Sequence, residues 1–465
     1  MREWGTHRML VMNRVINEQS VATYARVDIL VIGAGSAGCC AALAASGKNS
    51  VMLVERYGFP GGASTQALDT FYGFFTPGTA PKKIVGGWPD RVVNELDRQN
   101  SVFLRPNTYG AGTGVNYHPE RLKTVWDQLI LQNGIRYLLH TTLIDVVPES
   151  EGYTCIFWNK GGLCKVIARR VIDSSGDADF SHLAGFGYEI AGELEPAQSM
   201  TTTFRMSNVD LPAYEEAGGK KRMMEQMKDA VLNGRHPLPR KEGSAHEMNA
   251  RKCISTVAVK VSGRSGLDAE QLTSAEVEGR RQAFIYERFF QEEVAGYGES
   301  DIIGLSTQIG VRETRRVYGE HRLTKEECMQ AHIGQETVFL CGAPIEDHRL
   351  GGDGQQETHW EYIPGSGIYG VPYGCLVPKG SLTSWVVGRC FSASHDAHAS
   401  CRSMAQTMSM GQAAGLAAVQ SLEKDESASG ISVSALRERL NALGAILEIP
   451  EKIADCSRGG WKNNL

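Results

Sequence analysis

DILVIGAGSAGCCAALAASG, residues 28–47, decides the fold. Ile29 to Ile32 is an unbroken apolar run, as a parallel strand buried on both faces requires. It passes directly into Gly33-x-Gly35-x-x-Gly38 and then into an alanine-rich stretch with the composition of a tightly packed helix. Each glycine has its own physical role, with a tight turn at Gly33, close backbone approach to a pyrophosphate at Gly35, and close helix–strand packing at Gly38. The helix start, Ser36-Ala37, supplies unpaired N–H groups and a positive dipole end for phosphate. A second apolar strand, Val51 to Val54, ends in Glu55, twenty positions after Gly35. There a carboxylate can accept bonds from ribose hydroxyls. The spacing predicts a βαβ dinucleotide site.

The same pattern recurs at residues 365–370, GSGIYG, but Pro364 precedes it and VPYG follows. No strand leads in and no helix leads out, so this second match reads as a loop.

The rest of the composition is that of a soluble multi-domain chain. At 465 residues it can bury two or three cores. Net charge is −5 with no basic block, so nucleic acid is not an expected partner. No apolar run reaches the length of a membrane-spanning helix. The N-terminal MREWGTHRMLVMNRVINEQS lacks the apolar centre of a signal peptide, and a reducing cytoplasm is the expected compartment. Eleven cysteines without a C-x-x-C give neither a zinc ribbon nor a dithiol pair, and Cys39-Cys40 read as small core residues. Glycine, 52 residues, is about 11% of the chain against roughly 7% on average, which marks many tight turns or close approaches.

Two further stretches point to an extended cofactor. Gly61-Gly62-Ala63-Ser64-Thr65, following the second strand, offers backbone donors and two hydroxyls beside the pyrophosphate. Residues 168–185, ARRVIDSSGDADFSHLAG, return a strand to a glycine turn at Gly176. With GAGSAG, ERYGFPGGAST, YHPERLK, LLHTTLIDVV, LTSAEVEGRRQA, QIGVRETRRVYGEHRLT, GVPYGCLVPKG, VVGRCFSASHDA and SMGQAAGLAA in this order, the chain resembles the FAD-dependent oxidoreductases of the two-dinucleotide-binding-domain flavoprotein type from about residue 26 to 420. The resemblance implies an α/β fold. A Rossmann-like FAD-binding domain is built from discontinuous segments, 26–200 and 365–423. An α+β substrate or cap domain, 201–364, is inserted between them, with residues 1–25 and 424–465 as terminal extensions. It implies FAD as cofactor, with Arg56, Leu143, Gly388, Arg389 and Gln406 added to the cofactor residues above.

Inside the inserted segment, residues 201–215 alternate like a strand, and residues 268–296 read as a long helix with DAEQ near its start. Phe284, Tyr286, Phe289 and Phe290 on that helix read as packing rather than a substrate cage. Arg312, Arg315 and Arg316 in GVRETRR could hold an anion, but ion pairs with Glu313, Glu320 or Asp177 are the preferred reading. Asp425 to Gly430, DESASG, is the nearest approach to a linker.

HDAHASCR, residues 395–402, collects two histidines, an aspartate, a cysteine and an arginine. A metal site would need further ligands, and none is expected; a Cys401 nucleophile would leave the flavin unexplained. The stretch reads as a loop at the flavin edge. The helix after it carries Gly411, Ala414, Gly415 and Ala418 on one face, small enough to lie against a sheet. In the resemblance that helix start points at the pyrimidine end of the flavin, and His395 and Arg402, rather than His398, face the substrate. His395 is the expected proton carrier and Arg402 the group that polarises a carbonyl or carboxylate.

The expected activity is hydride transfer between a small organic substrate and flavin N5. A flavin monooxygenase is a competing reading, against which the strand end Gly388-Arg389 lacks the aspartate of that class. A disulfide reductase lacks its C-x-x-C, and a non-redox protein using FAD structurally is the third. Without a second nucleotide fingerprint, the electron donor or acceptor is not identified, and rapid reduction by NAD(P)H is not expected.

Overall fold

The structure is a computed structural model that describes residues 18–350 and 356–465. The expectation drawn from the first 17 residues lies outside them. Strand β1 (Thr23–Ile32) runs parallel to β2 (Val51–Val54) with Ile29 opposite Val51 and Val31 opposite Leu53. Helix α1 (Ser36–Ala45) crosses between them, as the βαβ reading requires. The alternation along β1 splits the core. Ile29 and Val31 join the cluster that contains α1, whereas Leu30 and Ile32 face Val146, Cys155, Phe157 and Phe180 on the other side. Cys39 and Cys40 are buried in the first cluster, and all eleven cysteines are free.

After helix α2 (Pro119–Gln132), β3 (Arg136–Leu138) adds to β2 in parallel. Then β4 (Thr142–Pro148), β5 (Tyr153–Asn159) and β6 (Gly162–Asp173) form an antiparallel meander. Strand β6 pairs with β1 along most of its length. On its other edge the first half, to Ala168, pairs with β5, while Val171 to Asp173 pair with a strand from far down the chain. The sheet therefore forks at β6.

The inserted segment has its own antiparallel sheet, of β7 (Phe204–Ser207), β8 (Ser244–Glu247), β9 (Ile254–Val257) and β10 (Asp301–Leu305), in the order β8-β9-β7-β10. Only four residues of the expected 201–215 strand are extended. Asp210 then caps a helix, Leu211–Glu216, accepting from the Ala213 N–H at 3.2 Å. Helix α3 (Ala269–Glu293) is the expected long helix, capped by Asp268, whose carboxylate accepts from the Gln271 N–H at 2.8 Å. Tyr286, Phe289 and Phe290 lie in a second core with Phe204 and Tyr297. Phe284 differs: at 54% exposed it sits on the opposite side of α3, because 3.6 residues per turn separate it from the 286–289–290 face.

The chain returns through β11 (Ser384–Val386), which completes the fork on β6. Then come α4 (His395–Cys401) and α5 (Met404–Lys424). HDAHASC is therefore a helix, not a loop; the Ser394 hydroxyl caps it, accepting from Ala397 at 3.4 Å. The small-residue face of α5 meets helix α1 rather than a sheet. A Cβ on Gly411 would fall 2.0 Å from the Ala37 carbonyl oxygen, and one on Gly415 2.4 Å from that of Ala41. The segment after α5 is docked, not loose. The Ala428 carbonyl accepts from the Tyr373 hydroxyl at 2.6 Å, and Leu436, Leu440 and Trp461 are buried in the first core. Residues 365–367 turn, and 369–370, expected to be part of the same loop, begin an antiparallel strand, Tyr369–Pro372; no α-helix follows it directly. Among the described residues no helix is long and apolar enough to cross a membrane.

Candidate active site

A cavity of about 280 Å³ opens at the C-terminal ends of β1, β6 and β11. Its first wall is the glycine turn. Gly33 has φ +96°, and a Cβ there would strike the Ser174 carbonyl oxygen at 2.4 Å. Gly38 is equally committed, with its Cβ position 1.9 Å from the Gly33 oxygen. Gly35 is different: nothing lies within 4 Å of the place its Cβ would take, so its backbone faces open space at the start of α1. Gly33 and Gly38 are thus fixed by packing, and Gly35 leaves room for a ligand to approach its backbone. Glu55 stands beside them, buried, with one carboxylate oxygen accepting from Ala34 N–H at 2.7 Å and the other from Tyr57 N–H at 2.9 Å.

Gly33, Gly35, Ser36, Ala37, Glu55, Arg56, Gly61, Gly62, Ala63, Gly176, Gly388, Arg389 and Arg402 of the expected residues line this cavity. Five do not. Gly38 lies behind the turn. The hydroxyls of Ser64 and Thr65 turn inward to the carbonyls of Gly61 (2.7 Å) and Pro60 (2.6 Å), so they shape the Gly61–Gly62 bend instead of facing a phosphate. Leu143 packs on the far face of the sheet. Gln406 is buried, its amide donating to the Gly73 carbonyl at 2.9 Å. The sequence missed Gln66, Ala67, Thr201, Thr203 and Gln308, which line the same cavity, and preferred an ion-pairing role for Arg312, which lines it too. Gln66 and Ala67 follow the Gly61–Thr65 stretch and Gln308 and Arg312 lie within QIGVRETRR, but only the fold brings these segments and Thr201 and Thr203 together.

Arg389 is a fastener. Its guanidinium donates to the Gly176 carbonyl at 2.7 Å and also bonds the Asp177 carboxylate and the Val311 carbonyl, joining the end of β11 to the turn after β6 and to the inserted segment. The three arginines of GVRETRR divide. Arg316 is held by Glu189, Glu195 and Glu313, and Arg315 bonds the Asp177 carbonyl at 2.8 Å and Asp179 at 3.4 Å, the structural role expected. Arg312 departs from that reading, because it lines the cavity beside Arg402.

His395 departs from its expected role. It is absent from the cavity wall, and its ring is held between carboxylates, Nδ1 3.2 Å from Glu313 and Nε2 3.3 Å from Asp347. Burial disfavours the charged ring, but these two bonds outweigh it and push its pKa up to about 10. A ring protonated on both nitrogens at neutral pH cannot accept a proton from a substrate. Burial pushes His398 the other way, to about 3, and its neutral ring donates from Nε2 to the Arg389 carbonyl at 2.7 Å. Cys401 is fully buried and burial raises its thiol pKa, the opposite of an activated nucleophile.

The residues present fit FAD. An open backbone position at Gly35, two glycines at 61 and 62, and the unpaired start of α1 make a cradle for a pyrophosphate, with the Glu55 carboxylate alongside. The profile of FAD dependent oxidoreductases matches residues 28–440. Among solved structures the chain is similar to a geranylgeranyl bacteriochlorophyll reductase-like protein from Thermoplasma acidophilum (12% identity, 91% of this chain and 84% of that one, TM-score 0.45). It is also similar to p-nitrophenol 4-monooxygenase PnpA from Pseudomonas putida (11%, 64% and 70%, 0.41) and to OxyS anhydrotetracycline hydroxylase from Streptomyces rimosus (11%, 91% and 67%, 0.43). No curated protein matches the sequence. With that profile covering nearly the whole chain, the protein belongs to the FAD-dependent oxidoreductases and is a redox enzyme with FAD as its cofactor.

Proposed function

We propose that the enzyme transfers a hydride between a small organic substrate and N5 of FAD, with the substrate held where the inserted segment meets α5. One observation carries this reading: a single cavity is lined by the glycine cradle, by Thr201, Thr203, Gln308 and Arg312 from the inserted segment and its end, and by Arg402, Met404 and Thr407. FAD, when bound, supplies the hydride acceptor or donor. The cradle and Glu55 hold its phosphate and ribose end. The N-terminus of α5, whose first turn contributes Met404 and Thr407 to the wall, favours negative charge at that end of the cavity. Arg402 is the group that polarises a substrate oxygen. His395 acts through position, tying α4 to Glu313 so that Arg402, one residue beyond α4, stays aimed at the cavity.

Anaerobic mixing with alcohols, hydroxy acids, amines, sugars and NAD(P)H tests the reading through the flavin band near about 450 nm. At least one organic compound bleaches it, while NAD(P)H does not do so rapidly. If none does, and the dithionite-reduced enzyme passes electrons to no enone or other unsaturated compound, the reading fails and a structural use of FAD takes its place.

A further inference from the structure

Two guanidiniums share the far end of the cavity with no acidic partner among the described residues. Arg402 donates from Nη2 to the Gln198 side-chain oxygen at 2.9 Å and to the Glu346 main-chain carbonyl at 3.2 Å. Arg312 donates from Nη1 to the Ser199 carbonyl and to the Thr201 hydroxyl at 2.7 Å. All four acceptors are uncharged, and the Nε of Arg402 is buried with no partner among the described residues.

Their neighbours provide the contrast. Within the same GVRETRR stretch Arg316 has three carboxylates and Arg315 has one. The fold thus supplies counter-ions to two arginines and withholds them from the third, the one that reaches the cavity.

Behind the pair stand further basic side chains. Lys260 is 3% exposed, with its Nζ against the ring of His348. Arg240 is 7% exposed and pairs with Glu242 at 2.7 Å, but its Nε is without a partner among the described residues. Of the carboxylates whose charge reaches the pair, Glu346 is turned to His348 Nε2 at 3.1 Å, and Glu313 and Asp347 are engaged by His395. The site registers this crowding: burial, then the charge of Arg402, push the Arg312 pKa down to about 9, and burial and the same arginines push Lys260 far down. Cations held this closely out of water want an anion.

The occupant is not the FAD pyrophosphate, whose cradle lies at the Gly35 end of the cavity. We infer that Arg312 and Arg402 form a clamp for an anionic substrate, a carboxylate carried on the molecule whose bond is oxidised or reduced. A planar fork of N–H donors suits a carboxylate, and two forks from different segments fix its orientation. The inference rests on the hydride-transfer reading for its link to turnover, but binding can be measured without turnover.

The test uses the FAD-loaded enzyme in its oxidised form and the visible spectrum of the flavin. Acetate, succinate and benzoate are titrated against acetamide, succinamide and benzamide, with inorganic phosphate as a third arm. At least one carboxylate perturbs the spectrum saturably, and its amide binds at least about tenfold more weakly. Arg312→Gln and Arg402→Gln each weaken that carboxylate by at least about tenfold while keeping one FAD per chain. Equal response to acid and amide, response to phosphate alone, or no response at all overturns the clamp. Loss of FAD from both variants also overturns it, by assigning the arginines to the cofactor. Should a variant not fold, the acid–amide comparison on the unaltered enzyme decides. Bleaching by neutral compounds without a carboxylate effect removes the clamp and leaves hydride transfer standing; a carboxylate effect without any bleaching does the reverse.

Discussion

His395 is a cation locked between two carboxylates, and that fixes how the protein responds to pH. Its pKa rises from the usual histidine range to about 10 because Asp347 and Glu313 together outweigh its burial. Glu313 is correspondingly held down to about 2, since its bond to His395 outweighs its own burial. These shifts are one interaction seen from its two ends and count once. The stabilisation is therefore complete between about pH 4.5 and 6.5. It fades as pH rises towards 10, where the ring loses its proton, and as pH falls towards 2, where Glu313 gains one. His395→Gln is expected to cost roughly 1.5–3 kcal/mol at pH 6, the range for losing hydrogen bonds to charged groups, because Glu313 keeps its pairing with Arg316. It should also flatten the decline of stability between pH 6.5 and 10. Urea unfolding at a series of pH values measures both; a variant with full stability and no turnover would restore His395 as the proton carrier. The sequence could not reveal this role, because Glu313 and Asp347 lie 82 and 48 positions away. The glycines of the first turn are the opposite case, readable in full, and they give a paired prediction. Gly35→Ala places a methyl in open space and should leave the apoprotein as stable as before, within about 1 kcal/mol for a single Gly-to-Ala exchange, while lowering FAD retention. Gly38→Ala drives a methyl against the Gly33 carbonyl and should destabilise the fold itself by about 1–3 kcal/mol. FAD content and thermal unfolding of the apoprotein separate the two effects.

Helix α5 shows how an element can be recognised while its partner is not. The run of Gly411, Ala414, Gly415 and Ala418 announced a close approach, and the approach exists, but to the carbonyls of α1. Side-chain volume says how near a neighbour comes; only topology says which neighbour it is. Gly411→Ala and Gly415→Ala are each expected to destabilise by roughly 1–3 kcal/mol, as overpacking does. They should also loosen FAD, since they push back the helix whose start is the cradle. Thermal unfolding with and without FAD tests this, and unchanged unfolding would mean that α1 shifts freely. Helix α4 was unreadable for another reason. At seven residues it spans barely two turns, too few for a periodic pattern, and its polar residues mimic a loop. Ser394, its cap, was the available signal.

At the scale of the molecule, the sequence carried the cofactor half better than the substrate half. Motifs that cradle phosphate must place backbone at fixed spacing, so they leave a local signature in Gly33 to Glu55. The proposed substrate site needs only that side chains from distant segments converge, as Thr201, Gln308, Arg312 and Arg402 converge on one cavity. None of these positions is special until the fold brings them to one cavity. The forked strand β6 makes the same point, because its last three residues pair with β11, more than two hundred positions further on. That pairing has a consequence for how the protein is made. During synthesis the glycine turn, α1 and Glu55 emerge first, but α5, which covers α1, leaves the ribosome tens of seconds later at roughly 5–20 residues per second. Throughout that interval the small apolar face of α1 stands bare. The nascent chain therefore displays half a cofactor site with a greasy flank, FAD enters only after residues 384–424 have arrived, and a ribosome stalled inside the inserted segment leaves a product fit for a chaperone.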